Sequence, residues 1–213
     1  MKLWSNSFRD GGFMPGEFAL CTVDPVTHVT LSANRSPHLA WNELPTTAQS
    51  LVLICVDPDV PSTPDDVNQE GRTVPPDLPR VDFFHWVMID IPTGIHSIPA
   101  GHFSDGVTSG GKYGPQIVDA VFGTARHGIN DYTGWFADDP AMAGEYFGYD
   151  GPCPPWNDSE IHRYVFTLYA LDIARLPLED TFTGPQVLAA MSSHIVDEAS
   201  VVAIYTLNPT LQE

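Results

Sequence analysis

The stretch Ser50-Leu51-Val52-Leu53-Ile54-Cys55-Val56, which runs directly into Asp57-Pro58-Asp59, decides the fold. Its apolar residues are consecutive rather than alternating, a pattern typical of a short β-strand that is buried on both faces. Three further segments have the same character, at residues 81–91, 164–171 and 201–207. The sequence therefore predicts a central β-sheet that is covered on one side by a second sheet and on the other by a helix.

Glycine and proline divide the chain into short apolar runs. Their numbers, 17 Gly and 20 Pro, predict an all-β domain with long connections and few helices. The best helical segment is 185–199, where Thr183 lies near the start and Pro185 suits a first turn. Four apolar residues recur there at helical spacing: Val187, Leu188, Met191 and Ile195. With 213 residues the chain is long enough for one sizeable core, so we predict a single domain over 1–213.

The charge of the chain excludes one class of partner. Its 27 acidic and 9 basic residues give a formal net charge of −18. Such a field repels nucleic acid and anionic membrane surfaces. We therefore expect no nucleic-acid binding, and we interpret most of the scattered carboxylates as a solubilising surface.

The cysteine pattern and the N-terminus set the expected compartment. Cys21, Cys55 and Cys153 form no CxxC pair and leave an odd count, which argues against a disulfide framework and against a structural zinc site. Residues 1–9 lack the apolar core of a signal peptide, and no apolar run in the sequence approaches the roughly 20 residues that span a bilayer. We therefore expect a cytoplasmic protein without a membrane span.

Acidic and imidazole side chains lie at the ends of the predicted strands. Asp57 and Asp59 follow a strand directly, and taken alone they indicate a turn. His85 lies within the aromatic run 83–86, where a buried imidazole needs a hydrogen-bond partner. If one nitrogen of His85 is held by a carboxylate, the other becomes an oriented donor that is suited to a phosphate or carboxylate oxygen.

A proline-rich segment and the strand after it complete the set. Gly151-Pro152-Cys153-Pro154-Pro155 is either a rigid extended loop or the wall of a small anion site, because Gly151 permits a close backbone approach. Strand alternation places His162 and Tyr164 on one face and Arg163 on the other, where we expect an ion pair. If these strand ends meet in space, they form one small polar pocket.

These motifs, in this order, resemble those of the phosphatidylethanolamine-binding proteins, in particular the bacterial and archaeal branch described as Raf-kinase-inhibitor-like. The resemblance covers about residues 30–171 and is supported by Ser36–Trp41 and Asn130–Tyr132. It implies a large and a small antiparallel β-sheet packed together with a few peripheral helices. It also implies a non-catalytic pocket without a cofactor that takes phosphate or the phosphoethanolamine headgroup of a phospholipid. Carried over by motif, the pocket residues are Asp57, Asp59, Pro61, His85, Gly151, Pro155, His162 and Tyr164.

Several alternatives stay open from the sequence. The family resemblance implies inhibition of a protein kinase or a protease, and it makes a homodimer plausible. A metal-assisted hydrolase using Asp57, Asp59, His85 and His162 is the competing hypothesis. Two segments depart from the family pattern: 156–161 is longer by one residue and lacks its glycine, and 133–147 is much longer than usual. The aromatic residues of 133–147 line the mouth of the pocket, pack in a dimer interface or cover the sheet, and we favour the cover.

Overall fold

The computed structural model describes residues 1–212 and is mainly β. Within that range the strands are β1 (Lys2–Trp4), β2 (Gly12–Phe13), β3 (Cys21–Asp24), β4 (His28–Leu31), β5 (Leu39–Asn42), β6 (Ser50–Pro61), β7 (Arg80–Ile91), β8 (Ser97–Ile98), β9 (Arg126–His127), β10 (His162–Leu171) and β11 (Ile195–Tyr205). The helices there are α1 (Tyr132–Trp135), α2 (Gly184–Met191) and a 3₁₀ turn, Gly16–Phe18. No helix in the described chain has the length and apolarity that a membrane crossing requires.

One large sheet dominates the molecule. Its strand order is β2-β11-β10-β6-β7-β9, and its neighbours are antiparallel except for the β2–β11 pair. A smaller antiparallel sheet has the order β1-β5-β8, and β3 and β4 form a separate hairpin. The predicted combination of a large and a small antiparallel sheet is confirmed, as are the four predicted strands, except that the last of them ends at Tyr205 and not at residue 207. The prediction of a single domain over 1–213 stays a prediction, and its last residue lies outside the described range.

The large sheet is buried on both faces, as the consecutive apolar residues of β6 predict. Leu51 and Leu53 point into a cluster that includes the small sheet, through residues such as Trp41 of β5. Val52 and Ile54 point into a second cluster on the opposite face, which contains Phe182 and, from α2, Val187 and Met191. Each fully buried side chain of this size contributes about 1.5–3 kcal/mol.

The predicted helix at 185–199 is present but shorter than predicted. It starts as expected, with Thr183 as N-cap in a capping box with Gln186 and with Pro185 in the first turn. It ends at Met191, and Ile195 already belongs to β11, where it lies opposite Leu171 of β10. The prediction is therefore wrong for the last part of the segment, because pairing with β10 satisfies the backbone there and overrides the helical spacing of Ile195.

The argument against disulfides is wrong for two of the three cysteines. Cys21 of β3 and Cys153 form a disulfide with an S–S distance of 2.04 Å, and the odd cysteine, Cys55, is free and buried in the core. The odd count misled because one cysteine serves as a small apolar core residue. Since disulfides persist mainly in oxidising compartments, the prediction of a cytoplasmic location loses the support that the cysteines gave it.

Candidate functional site

A cavity of about 290 Å³ opens at one end of the interior strands β6, β7 and β10 of the large sheet. Because β6 is antiparallel to both β7 and β10, the end of β6 lies beside the starts of the other two strands. Polar side chains from all three strands therefore meet there, as the strand-end pattern predicts. The lining residues are Asp57, Val60, Pro61, Ser62, Thr63, Pro64, Val67, Asn68, Phe83, His85, Tyr132, Trp135, Cys153, Pro154, Pro155, His162 and Tyr164.

Most of the residues assigned to the pocket from sequence line this cavity. They are Asp57, Pro61, His85, Pro155, His162 and Tyr164. Two others, Asp59 and Gly151, do not line it within the part of the chain that the structure describes. The assignment of all eight to ligand binding stays a prediction, and their contacts give them different roles.

His162 is held by carboxylates on both sides. Its Nδ1 lies 2.7 Å from Asp57 Oδ2 and its Nε2 lies 3.0 Å from Asp158 Oδ2, and the ring is fully buried. Burial disfavours the imidazolium, but hydrogen bonds to Asp158 and Asp57 and their negative charges more than offset it, and they raise the pKa of His162 to about 9. His162 is therefore a buried cation whose two N–H groups are both used within the protein.

Asp158 links the buried His162 to a second cation, Arg80. Its carboxylate accepts two hydrogen bonds from Arg80, at 2.6 and 3.0 Å. Burial raises the pKa of Asp158, but the hydrogen bonds from His162 and Arg80 outweigh burial and lower it below 3.8. The two carboxylates of Asp57 and Asp158 thus face the two cations, His162 and Arg80, and the charges of the group sum to zero. Sequence reasoning missed Asp158 and Arg80, because the contact of Asp158 with His162 depends on the path of the loop before β10.

His85 is bound differently from the expectation. Its Nδ1 lies 2.8 Å from the backbone oxygen of Asp150, so the partner is a carbonyl and not a carboxylate. A carbonyl oxygen only accepts, so Nδ1 carries the hydrogen. Burial lowers the pKa of His85 below 6.5, and the negative charge of Asp57 opposes this effect. The ring is therefore neutral at neutral pH, and its Nε2, which makes no hydrogen bond to residues 1–212, presents a lone pair to the cavity.

Tyr164 supplies a buried donor beside the cavity. Its hydroxyl is buried and has no hydrogen-bond partner among the described residues. Burial and the nearby Asp57 carboxylate, through its charge and through a contact that falls short of hydrogen-bond geometry, raise the pKa of Tyr164 well above 10, so the hydroxyl keeps its hydrogen. A buried polar group without a partner costs about 1–3 kcal/mol, which makes a ligand the natural partner of this hydroxyl.

Asp59 faces away from the cavity and pairs with Arg163. Its carboxylate oxygens lie 2.9 and 2.7 Å from the Arg163 guanidinium. Although burial acts in the opposite direction, the Arg163 hydrogen bonds and charge lower the pKa of Asp59. The predicted ion pair of Arg163 on the outer face of β10 is confirmed, whereas the geometry of Asp59 does not favour a contact with a ligand.

Gly151 does not line the cavity itself, but it lies in the same segment as Cys153, Pro154 and Pro155, which do. Its N–H donates to Asn34 Oδ1 at 2.8 Å, and its carbonyl accepts from the Tyr132 hydroxyl at 2.7 Å. A Cβ at this position would overlap the Phe18 carbonyl oxygen and lie 2.9 Å from the Ala19 Cα. Glycine is therefore required here because the backbone segment 18–20 passes too close for any side chain.

The long segment 133–147 has two roles. Trp135 lines the mouth of the cavity and is 55% exposed. Phe136 and Tyr146 pack against Tyr132, with ring centroids 5.4 and 6.4 Å away, and so cover the core beside the cavity. The other unusual segment, 156–161, is fixed by Trp156, which stacks on His28 at 4.0 Å.

The residues proposed for a metal site do not form one. Among residues 1–212 no group of three or more His, Cys, Asp or Glu side chains is arranged to hold a metal ion. Both nitrogens of His162 and the carboxylate of Asp59 are used by other side chains. The metal-assisted hydrolase therefore has no geometric support in the described chain.

Comparison with known proteins identifies the family to which the chain belongs. The protein-family model described as "Phosphatidylethanolamine-binding protein" matches residues 4–206. A UPF0098 protein of Methanothermobacter thermautotrophicus is 33% identical, with 96% of this chain and 98% of the relative covered. The UPF0098 protein YbhB of Escherichia coli is 29% identical, with 97% of this chain and 100% of YbhB covered.

Solved structures give the same result. The phosphatidylethanolamine-binding protein homologue CT736 of Chlamydia trachomatis has a TM-score of 0.62 at 26% identity and covers 96% of this chain, and 95% of CT736 is covered. YbcL of Escherichia coli, described as a member of the mammalian PEBP family, has a TM-score of 0.67 at 20% identity, with 96% of this chain and 97% of YbcL covered, which supports the fold alone. The motifs, the two packed sheets and these comparisons together place the chain in the phosphatidylethanolamine-binding protein family.

Proposed function

We propose that the protein is a non-catalytic binding protein whose cavity takes a small phosphoryl group, either as phosphate or as a phosphoethanolamine headgroup. The observation that carries the proposal is the buried hydroxyl of Tyr164, which has no hydrogen-bond partner among residues 1–212 and belongs to a residue that lines the cavity beside His85 and Asp57. Buried polar groups in native proteins are nearly always hydrogen-bonded. A phosphoryl oxygen is a strong acceptor that would satisfy this donor.

A zwitterionic ligand fits the charges better than a bare anion. The Asp57 carboxylate lines the cavity and would repel a phosphoryl group that approached alone. In phosphoethanolamine the ammonium meets Asp57 while the phosphoryl group meets Tyr164 and His85. His162 then acts through Asp57: it holds the carboxylate in place at 2.7 Å and balances its charge.

The activity that such binding serves is part of the same proposal. The family resemblance favours an inhibitor that docks on a protein kinase or protease, with the cavity as a regulatory site. A cytoplasmic location and a homodimer stay predictions, as does the absence of nucleic-acid binding. The apolar walls, including Phe83, Trp135 and Pro155, are suited to binding rather than to chemistry, since none of them supplies a nucleophile or a proton.

Calorimetric titration tests the proposal. Phosphate and phosphoethanolamine are titrated into the wild type and into Tyr164→Phe and His85→Ala, over a pH range of about 5.5 to 8 that spans imidazole titration. His194→Ala is the control, because His194 is paired with Asp172 and does not line the cavity. We expect binding by the wild type and the control and weaker binding by both cavity variants. No binding of either ligand by the wild type at millimolar concentration would overturn the proposal, and a preference for plain phosphate would remove its zwitterion part.

A further inference from the structure

We propose that His85 selects the ligand by accepting a hydrogen bond from it, so that the cavity takes phosphoryl groups that keep a hydroxyl and rejects those without one. The accepted ligands are inorganic phosphate and the monoanion of a phosphate monoester. The rejected ones are sulfate and phosphodiesters, including the headgroup of an intact phospholipid. This inference rests on the proposed function of the same cavity.

The first step is the position of the hydrogen on His85. Nδ1 donates to the Asp150 carbonyl at 2.8 Å, and this bond fixes the tautomer of the neutral ring. Nε2 then has a lone pair and no hydrogen. Since the ring lines the cavity and Nε2 has no partner within residues 1–212, this lone pair is offered to the ligand.

The second step is that the surroundings keep the ring neutral. The ring packs edge-on against Tyr132 and Tyr164, with centroid distances of 5.5 and 5.1 Å. The ionisable groups whose charges act on the ring are Asp57, Asp150 and His162. Asp150 is itself paired with Lys112 at 2.7 Å, and His162 is a cation that opposes a second positive charge nearby. Burial therefore dominates over the remaining attraction of Asp57, and it lowers the pKa of His85.

The third step counts donors and acceptors in the cavity. Near the ring of His85, Tyr164 is a donor, while Asp57 and the Nε2 of His85 are acceptors; Ser62, Thr63 and Asn68, which can both donate and accept, also line the cavity. An oxyanion without hydrogen would satisfy Tyr164 but would leave the lone pair of His85 facing another lone pair. A phosphoryl group with one P–OH donates to His85 and accepts from Tyr164. A site built around such a hydrogen bond discriminates strongly against analogues that lack it.

Two matched ligand pairs test the inference by calorimetry on the wild type. Phosphate is compared with sulfate, and phosphoethanolamine, a monoester, with glycerophosphoethanolamine, a diester with the same amine. At pH 6 we expect the first member of each pair to bind at least about tenfold more tightly, since one hydrogen bond to a charged group is lost in the second. The second pair also separates a free headgroup from the headgroup of a lipid.

Proton uptake gives an independent measurement. The second pKa of a phosphate monoester is about 6, so above that pH phosphoethanolamine must take up a proton to bind. Titrations at pH 7.5 in two buffers of different ionisation enthalpy should therefore show uptake of about one proton for phosphoethanolamine. For inorganic phosphate, which keeps a hydroxyl at this pH, we expect little uptake.

The variant His85→Gln assigns the discrimination to this residue. A glutamine amide both donates and accepts, so the variant should bind sulfate and phosphate with affinities within about threefold of each other. The exposed control His194→Gln should keep the discrimination of the wild type. If His85→Gln does not fold, the ligand ratios and the proton uptake of the wild type still test whether the bound ligand must carry a hydroxyl.

The outcomes separate this inference from the proposed function. Equal binding of all four ligands by the wild type would overturn the inference and leave the proposed function in place. Discrimination that survives in His85→Gln would also overturn it, because His85 would not be the selecting residue. No binding of any ligand would overturn both.

Discussion

The hydroxyl of Tyr164 is buried and has no partner among the described residues, whereas that of Tyr132 donates to the Gly151 carbonyl at 2.7 Å. We expect Tyr164→Phe to leave the free energy of unfolding unchanged or raise it by up to about 1 kcal/mol, because it removes an unsatisfied group. Phosphate affinity should fall about tenfold. Urea unfolding and calorimetry measure the two effects. The matched variant Tyr132→Phe should lose about 1 kcal/mol of stability; equal losses in both variants would contradict the role given to Tyr164.

Gly151 is required by its close contact with the backbone at 18–20. A methyl group there must displace the Phe18 carbonyl, so Gly151→Ala should lower the free energy of unfolding by about 1–3 kcal/mol and shift the neighbouring wall of the cavity. Gly134→Ala is the control, because Gly134 is exposed in α1 and no atom lies within 4 Å of its added Cβ. Urea unfolding of the two variants provides the comparison. A Gly151→Ala protein as stable as the control would show that the backbone at 18–20 moves freely.

Single residues differ in how far the sequence specifies them. Alternation along β10 correctly places His162 and Tyr164 together and Arg163 opposite. The Asp150 partner of His85 and the Asp158 partner of His162 were not predictable. His85 binds the carbonyl of Asp150, which is 65 residues away in sequence, and a backbone oxygen leaves no trace in residue identity. The contact of Asp158 with His162 depends on how the loop 156–161 folds back, and neighbouring residues alone do not determine that path.

The elements β6, β7 and β10 are joined at their polar ends by the cluster of Asp57, Asp158, His162 and Arg80. The pKa of His162 is raised from 6.5 to about 9. A group whose pKa is raised by folding stabilises the protein below its unfolded pKa and loses this contribution as pH rises through its folded pKa. We therefore expect a loss on the order of 3 kcal/mol as pH rises from about 6.5 to above 9, measured by urea unfolding across that range.

The variant His162→Gln checks the origin of this pH dependence. It removes the cation between the buried carboxylates of Asp57 and Asp158, and such a loss costs about 3–5 kcal/mol. Its stability should no longer depend on the titration of His162. If the variant keeps the full slope of the wild type over this range, the slope arises elsewhere; the thiol of Cys55, whose pKa burial raises well above 9.0, adds a slope only above about pH 8.5.

The disulfide ties strand β3 to the proline-rich wall of the cavity. Cys153 lines the cavity beside Pro154 and Pro155, and Cys21 holds it to the hairpin. We expect Cys21→Ser combined with Cys153→Ser to lower the free energy of unfolding by about 2–4 kcal/mol and to weaken phosphate binding, because the wall loses its anchor.

Counting thiols checks the pairing directly. Denatured protein without reductant should show one reactive thiol, that of Cys55, and three with reductant. The control Cys55→Ala should show none without reductant. Three thiols in the unreduced wild type would contradict the disulfide and restore the cysteine argument for a reducing compartment.

Strands and helices were predictable where the local pattern of apolar residues fits only one of the two structures. The consecutive apolar residues of β6 and the motif at its end sufficed to predict a sheet buried on both faces. The end of α2 was not predictable, because Ile195 fits helical spacing equally well, and only its pairing with Leu171 across the sheet shows that it is in a strand. The disulfide was missed for a similar reason: its cysteines are 132 residues apart, and only the tertiary fold brings them together.

At the scale of the whole molecule, the net charge of −18 acts on every ligand that approaches the cavity. The cluster of Asp57, Asp158, His162 and Arg80 sums to zero, and the ion pair of Asp59 with Arg163 does too. The cavity therefore lacks a local positive field that would offset the overall charge. An anionic ligand should be repelled over a long range in dilute buffer, where the Debye length is about 30 Å at 0.01 M salt and about 8 Å at 0.15 M.

This repulsion predicts an unusual salt dependence. At pH 6 the association rate of phosphate, a monoanion, should rise severalfold between about 0.01 M and 0.15 M salt, because screening removes the repulsion. The phosphoethanolamine zwitterion has no net charge when its phosphoryl group is singly ionised, so its rate should change little. Stopped-flow measurements with both ligands provide the test, with a bulky monovalent anion as the salt so that it does not compete for the cavity. A phosphate rate that falls with salt would mean that a local positive field, and not the acidic surface, governs the approach of the ligand.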